Sequence, residues 1–338
     1  MGEVRARIAE YVGASSNEIV FFPNATTTMN ALLQGLPISK GEIIYSDREY
    51  PACATAARYA AQQRGLGVRE FPLPPLPTEP REIIEAILEA LIPRTRLVFV
   101  SHVLSWNGMT IPVVDLAEAL EDRGVGLVVD GAHGPGQVPL RLGHSRIAAY
   151  AGNLHKWFMG PKGTAFAWVP ERIQTKTTPL FVGFGGYPNH LPPEQAIADM
   201  RPGGNAFQAM FGMQGCLDLA PVVALNATLE FRRRIGENRI LARLRQLAAY
   251  CRGTFARELD CELLTPTHPD LSGAMSTFRI PAMHNEGKML GMAEQFRDRY
   301  GITVGFMGDS MIRVAPHIYN MEAEIDHLVE CIKKDIQT

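Results

Sequence analysis

Four short stretches carry residues whose types and spacing could do chemistry. In Gly152–Trp157, GNLHKW, a lysine follows a histidine just after the apolar run IAAYAG and ahead of PKGTAFAWV. An HK pair among glycines can be a solvated turn. Here Trp157, Phe158 and Met159 follow at once, so Lys156 is expected to point into protein. A desolvated lysine is a better amine nucleophile, the property a Schiff base requires. In Val128–His133, VVDGAH, Asp130 ends an apolar strand. A carboxylate there either binds a cation or a protonated ring nitrogen, or caps the next turn. His133, three residues on, could reach the same ligand or be only a loop residue. In Pro23–Asn30, PNATTTMN, a helix opens directly after the strand EIVFF. Its first backbone N–H groups, with the Thr26 and Thr27 hydroxyls, make either an anion site or an ordinary N-cap. In Ser101–Gly108, SHVLSWNG, His102 could stack on a flat ring or be a satisfied core histidine.

The elements that must position these residues follow from periodicity. Glu18–Phe22, the EIIYS run from Glu42, the RLVFVS run from Arg96 and the VGLVVD run from Val125 are short and rich in apolar residues, and read as strands. Helical patterns lie between them at Thr26–Leu36, Pro51–Arg64, Pro80–Leu91 and Pro112–Glu121. Pro51, Pro80 and Pro112 sit where a helix tolerates proline, in its first turn. Strands alternating with helices predict a mainly parallel sheet covered by helices on both faces. Beyond Pro170 a Gly- and Pro-rich stretch, PLFVGFGGYPNHLPPEQ, reads as a long surface loop. A long amphipathic stretch from about Gln208 to Arg234 follows, then a helix from about Asn238 to Glu258. The tail reads as α+β: STFRI, a helix over Glu286–Tyr300, ITVGF, MIRVA and a last helix from Met321. The expected organisation is a large α/β domain over 1–231 and a smaller α+β domain over 232–338.

Composition narrows the function. The chain has 338 residues, 46% of them apolar, enough for two cored domains. Its 33 Lys and Arg against 35 Asp and Glu leave a formal charge of −2, with no electrostatic case for nucleic acid or an anionic membrane. Five scattered cysteines without a CxxC argue for reduced thiols and against a zinc site. The N-terminal MGEVRARIAEYVGA lacks the apolar centre of a signal peptide, and no run of about twenty apolar residues spans a membrane. A cytoplasmic enzyme is expected. GFGGYP at Gly183 lacks the GxGxxG spacing of a dinucleotide fingerprint, which weakens a nicotinamide oxidoreductase. No HExxH or paired-histidine spacing supports a metal.

Taken together, an anion cradle, a ring stacker, an acid and an amine in chain order match the needs of pyridoxal 5′-phosphate (PLP). The chain resembles the fold-type-I PLP enzymes of the class V aminotransferase family. The resemblance rests on NAT at Asn24–Thr26, SHV…NG…P at Ser101–Pro112, DGAHGPG at Asp130–Gly136, NLHKW…PKG at Asn153–Gly163 and IRVAPHIYN at Ile312–Asn320. Within the family it is most similar to the isopenicillin N epimerase-like branch, which also contains cysteine C–S lyases.

The resemblance implies a role for each residue. Lys156 would form the Schiff base with the cofactor, and Asp130 would pair with the pyridine N–H. His133 would contact the phenolic oxygen and His102 would stack on the ring face. Ala25 and Thr26, with His155 and Asn153, would hold the phosphate. Arg313 would clamp a substrate carboxylate as a bidentate fork, where the plain alternative is a surface arginine on an edge strand. Tyr50, in DREYPA after a strand end, is either a second acid/base or pocket residue, or a packed tyrosine.

Three departures from the family pattern stand out. Members usually carry a leading segment with an Asn-His-Gly-like stretch, whereas this sequence begins close to the helix ahead of the first strand. Asn205 stands in GGNAFQ where a threonine often reaches the partner subunit's phosphate. Gly301–Arg313 holds no cysteine, which disfavours persulfide-forming desulfuration. The expected activity is therefore at the α-carbon of a small amino-acid-like substrate, as epimerase or C–S/β-lyase. The alternatives are a class V aminotransferase and a catalytically degenerate binding subunit. A homodimer is expected, with FQAMFGMQ at Phe207–Gln214 as its apolar contact or as a helix core face.

Overall fold

The computed structural model describes residues 1–182, 204–212, 215–283, 289–308 and 310–337. The GFGGYP stretch, most of the long loop around it and the first residues of the Glu286 helix lie outside the described residues. Two compact units are present. The first comprises Met1–Leu73, Ile84–His102 and Pro112–Arg234. The second takes Ile235–Thr338 together with Pro74–Ile83 and Val103–Ile111, two segments that sequence order assigns to the large domain.

The first unit is built on seven strands: β1 (Ile19–Phe22), β2 (Glu42–Ser46), β3 (Gly67–Phe71), β4 (Thr95–Ser101), β5 (Gly126–Gly131), β6 (Ala149–Asn153) and β7 (Ala165–Trp168). Their order across the sheet is β1-β7-β6-β5-β4-β2-β3. All neighbours pair in parallel except β7, which runs antiparallel to both β1 and β6. Every residue of β1, β2, β5's apolar run and β6 is buried, as a sheet covered on both faces demands. Each fully buried Val, Ile, Leu or Phe in such a core contributes roughly 1.5–3 kcal/mol. β3 is different. It alternates, GVREF, and only Phe71 is buried, so it forms one edge of the sheet and lacks a strand's apolar run.

Because the central strands are parallel, their carboxyl ends share one edge. Register places Ser101 opposite Asp130, and Asp130 opposite Ala151. Helices follow these ends. α2 (Ala25–Gly35) begins after β1 with Asn24 as N-cap, whose side chain accepts the Thr27 N–H at 2.8 Å. α3 (Pro51–Gln63) begins after β2 with Pro51 in its first turn and Tyr50 as N-cap. The long amphipathic stretch is two helices rather than one. Ala206–Gly212 and Ala220–Ile235 are separated by a segment that contains Gly215 at φ +91°. A left-handed glycine ends a helix instead of propagating it.

The second unit packs the helices Glu237–Glu258, Met289–Tyr300 and Glu322–Ile336 with a four-stranded antiparallel sheet. Its core joins Phe255, Phe278, Phe296, Ile312 and Ile332. The Trp106–Gly108 part of the SHVLSWNG stretch belongs here and is structural. Asn107 donates to Leu264 O at 3.0 Å, Thr265 donates to Asn107 O at 2.5 Å, and Thr277 donates to Trp106 O at 2.7 Å. Gly108, at φ +75°, lies where a Cβ would come within 2.7 Å of Met275 O.

Candidate active site

Asp130 is the penultimate residue of β5, directly after its apolar run, and is 3% exposed. Its Oδ1 accepts the Ala132 N–H at 2.8 Å. Burial raises its pKa, opposed by that N–H, by a hydrogen bond from the Cys53 thiol and by the charge of Lys156. The Lys156 turn and the Asp130 loop meet at the same sheet edge, where Lys156 Nζ lies 3.0 Å from His133 Nε2. Beneath them lies a further carboxyl, Glu49, which is also buried. Its Oε2 accepts the Ser101 N–H at 2.8 Å and its Oε1 accepts the Ser46 hydroxyl at 2.5 Å. Burial pushes Glu49 up to about 8, helped by the charge of Asp130.

Lys156 follows β6, which ends at Asn153, in the turn that also carries His155. Its Nζ lies 3.0 Å from His133 Nε2. The expectation that Lys156 points into protein is corrected. Leu154, Trp157 and Phe158 are buried, but the lysine itself is exposed in the single chain. The apolar flanks anchor the turn's backbone and project the amine out of it.

Asn153 and the start of α2 meet directly. Asn153 Oδ1 accepts the Ala25 N–H at 2.7 Å, tying the end of β6 to the helix N-terminus. Ala25 N–H is thereby engaged within the chain. Thr26 retains its N–H and hydroxyl at the first turn, where helix-end partial charge favours an anion. His155 Nδ1 lies 3.0 Å from Thr164 O. A carbonyl only accepts, so Nδ1 carries the proton and Nε2 is left for a ligand. Burial lowers the His155 pKa, the Thr164 carbonyl raises it, and the charges of Lys156 and Lys162 lower it further. Only its protonated form offers an N–H to a phosphate at Nε2.

His102 follows the end of β4 and is held by its ring edge. It is 7% exposed, its Nδ1 is 3.0 Å from the Tyr150 hydroxyl, and the two rings meet edge to face. Burial pushes it down to about 4, so it is neutral at physiological pH. Gly134 makes this packing possible, since a Cβ there would lie 2.0 Å from the Tyr150 oxygen. Tyr50, by contrast, is 48% exposed at the head of α3, which overturns its reading as a packed tyrosine.

Asn205 is committed inside its own chain. Its Oδ1 accepts the Gln208 N–H at 2.9 Å as a helix cap. Its Nδ2 donates to Asn17 O at 3.2 Å and to Gln174 Oε1 at 3.1 Å. Both amide hydrogens are used, which leaves none for a partner's phosphate. Arg313 lies in the second unit on the strand Met311–Val314, an inner strand paired on one side with Gly305–Met307 and on the other with Ser276–Arg279, and so not on an edge. Its Nη1 donates to Ser105 O. Burial lowers its pKa, and no carboxylate pairs with it among the described residues.

Sequence reasoning missed Glu49, Cys53 and Tyr150. None carries a local motif. Each reaches Asp130 or His102 only because parallel strands bring β2, β4, β5 and β6 side by side.

A mainly parallel sheet with an amine, a carboxylate and a helix N-terminus along its carboxyl edge defines the fold-type-I PLP-dependent enzymes. The chain belongs to the aminotransferase class V family, whose sequence model matches residues 1–328. It is 34% identical over 337 residues to the isopenicillin N epimerase of Amycolatopsis lactamdurans, covering 98% of this chain and 83% of that protein. Its fold is similar to that of the cystine C–S lyase C-DES in complex with its product cysteine persulfide. There the TM-score is 0.82 at 22% identity, over 98% of this chain and 85% of that one. A C-DES variant with glycine covalently linked to its PLP cofactor superposes equally, with a TM-score of 0.82 at 24% identity, over 98% and 84% of the two chains.

The groups present fit PLP. A buried strand-end carboxylate suits a pyridine N–H, an accessible amine suits an aldehyde, and a helix start with Thr26 suits a phosphate. Among the described residues no His, Cys, Asp and Glu group could hold a metal, and no helix is long and apolar enough to cross a membrane.

Proposed function

We propose that the protein is a PLP enzyme acting at the α-carbon of a small amino-acid-like substrate, as an epimerase or as a C–S or β-lyase, with Lys156 as the cofactor's attachment point. The observation that carries this reading is the Lys156 amine at 3.0 Å from His133 Nε2, on the loop that follows the buried strand-end Asp130. When bound, PLP supplies an electron-poor ring that stabilises negative charge at the α-carbon. Asp130 holds a proton on the ring nitrogen, and its burial strengthens that attraction. Thr26, Asn153 and His155 would hold the phosphate. Lys156 would be the base that takes the α-proton. Return of a proton to the opposite face inverts the centre, and departure of a β-substituent makes the reaction a lyase. Arg313 is the partner for a substrate carboxylate.

The assembly is read as a homodimer, but not through FQAMFGMQ, because Phe207 and Phe211 are buried in the chain's own core as its helix core face, while Met213 and Gln214 lie outside the described residues. Val223, Ala224, Ala227 and Phe231 form an exposed apolar stripe along the helix Ala220–Ile235, with Val223 and Phe231 each 51% exposed. Sedimentation at micromolar concentration reads the assembly, and a monomer would overturn it.

The test of the catalytic reading is Lys156→Ala. It should abolish turnover of amino acids and the borohydride-reducible visible absorbance while the circular dichroism of the fold persists. A reducible adduct that survives the substitution would reject Lys156 as the attachment point. Scoring racemisation, pyruvate and ammonia over a panel of D- and L-amino acids and cysteine derivatives then separates epimerase from lyase.

A further inference from the structure

His133 has both ring nitrogens engaged, and one of the two bonds has a fixed polarity. Trp157 Nε1 lies 3.1 Å from His133 Nδ1. An indole nitrogen only donates, so Nδ1 must accept and cannot carry a proton. A neutral imidazole then carries its proton on Nε2, the atom 3.0 Å from Lys156 Nζ. We propose that Trp157 is a positioning residue that fixes His133 as its Nε2–H tautomer, so that the ring offers a donor and not an acceptor to Lys156 and to the ligand bound there.

Two consequences follow from polarity alone. An N–H facing Nζ is met by the lone pair of the unprotonated amine, the form that adds to a carbonyl, whereas an ammonium would set N–H against N–H. The same Nε2–H is the donor that an anionic oxygen beside Lys156 needs. Had Nδ1 carried the proton, Nε2 would present a lone pair to that oxygen and repel it.

Trp157 is held so that it can do this. It is 5% exposed, and its carbonyl accepts from the buried Arg232 at 3.2 Å. Its backbone lies against Gly136, at φ +97°, where a Cβ would come within 2.2 Å of the Trp157 carbonyl carbon. The indole is thus fixed from its backbone, while His133 hangs from the loop after β5. The bond joins the Asp130 loop to the Lys156 turn across 24 positions of sequence.

The significance for the cofactor rests on Lys156 being its attachment point, but the tautomer does not. The test is 15N NMR of the ring nitrogens of His133 in the protein as purified, assigned by comparison with His133→Gln. The parent should show Nε2 protonated and Nδ1 bare at neutral pH. A protonated Nδ1 in the neutral ring would overturn the proposal. Trp157→Phe removes the donor, and the Nδ1–H form should then appear. Because that change also reshapes the packing, β-(3-benzothienyl)alanine at position 157 provides the matched control, with the indole's shape and no N–H. The tautomer ratio should shift in both proteins. If it stays as in the parent with the benzothienyl side chain, Trp157 does not set it. Loss of the reducible absorbance in Lys156→Ala is read independently, so failure of the functional reading and failure of the tautomer assignment are separate outcomes.

Discussion

Glu49 Oε2 receives both the backbone N–H of Ser101 at 2.8 Å and its hydroxyl at 2.5 Å, across 52 residues of sequence. This buried carboxyl underpins the end of β4, next to Asp130. Burial, first, and the Asp130 charge hold it up at about 8, against an ordinary 4.5. A raised folded-state pKa means that the folded protein holds this proton more tightly than the unfolded chain. Its contribution to stability is fully present below about pH 4.5 and is lost as pH rises through about 8. The loss is on the order of 5 kcal/mol at 1.36 kcal/mol per pKa unit. Glu49→Gln removes the titration and keeps the acceptor. Urea midpoints measured from pH 5 to 9 should fall less steeply in the variant than in the parent, and equal slopes would show that Glu49 does not titrate in this window.

Asp130→Asn removes the buried strand-end charge proposed to hold a proton on the ring nitrogen. The fold should survive, because Oδ1 remains to accept the Ala132 N–H. Turnover should fall roughly 10²-fold or more, equivalent to about 3 kcal/mol of lost charge stabilisation. Asp130→Glu should retain part of it. Steady-state kinetics on the best amino-acid substrate decide the matter, and parent-like rates in Asp130→Asn would leave the carboxylate a turn cap.

Arg313 is half-buried with no carboxylate partner among the described residues, and its Nη1 donates to Ser105 O. A bidentate fork is the property of arginine that lysine lacks. Arg313→Lys should raise KM about 10- to 10²-fold, the range of a charge-assisted pair of hydrogen bonds, with a smaller change in kcat. Amino amides in place of amino acids should erase the difference between parent and variant. If the two proteins discriminate alike, the guanidinium does not read the carboxylate.

Much of this protein is determined locally. The apolar runs ending in Ser46, Ser101 and Asp130 are strands because β-branched and aromatic residues continue until a turn residue stops them, and Asn24 caps α2 because its side chain reaches Thr27 N–H within the same turn. Lys156 and Asp130 were legible for the same reason, since each stands at the border of an apolar run. β3 was not, because an edge strand with one buried residue in five has no apolar run to announce it. The break between Gly212 and Ala220 was not, because the amphipathic pattern continues across it. The chemistry of each site residue was decided by tertiary structure alone. Whether Asn205 has a spare donor, what His102 bonds to and which nitrogen of His133 is bare all depend on groups 24 to 188 residues away: Gln174 and Asn17 for Asn205, Tyr150 for His102, Trp157 for His133. A hydrogen bond's polarity and a side chain's burial are properties of neighbours in space, and residue type and spacing along the chain do not contain them.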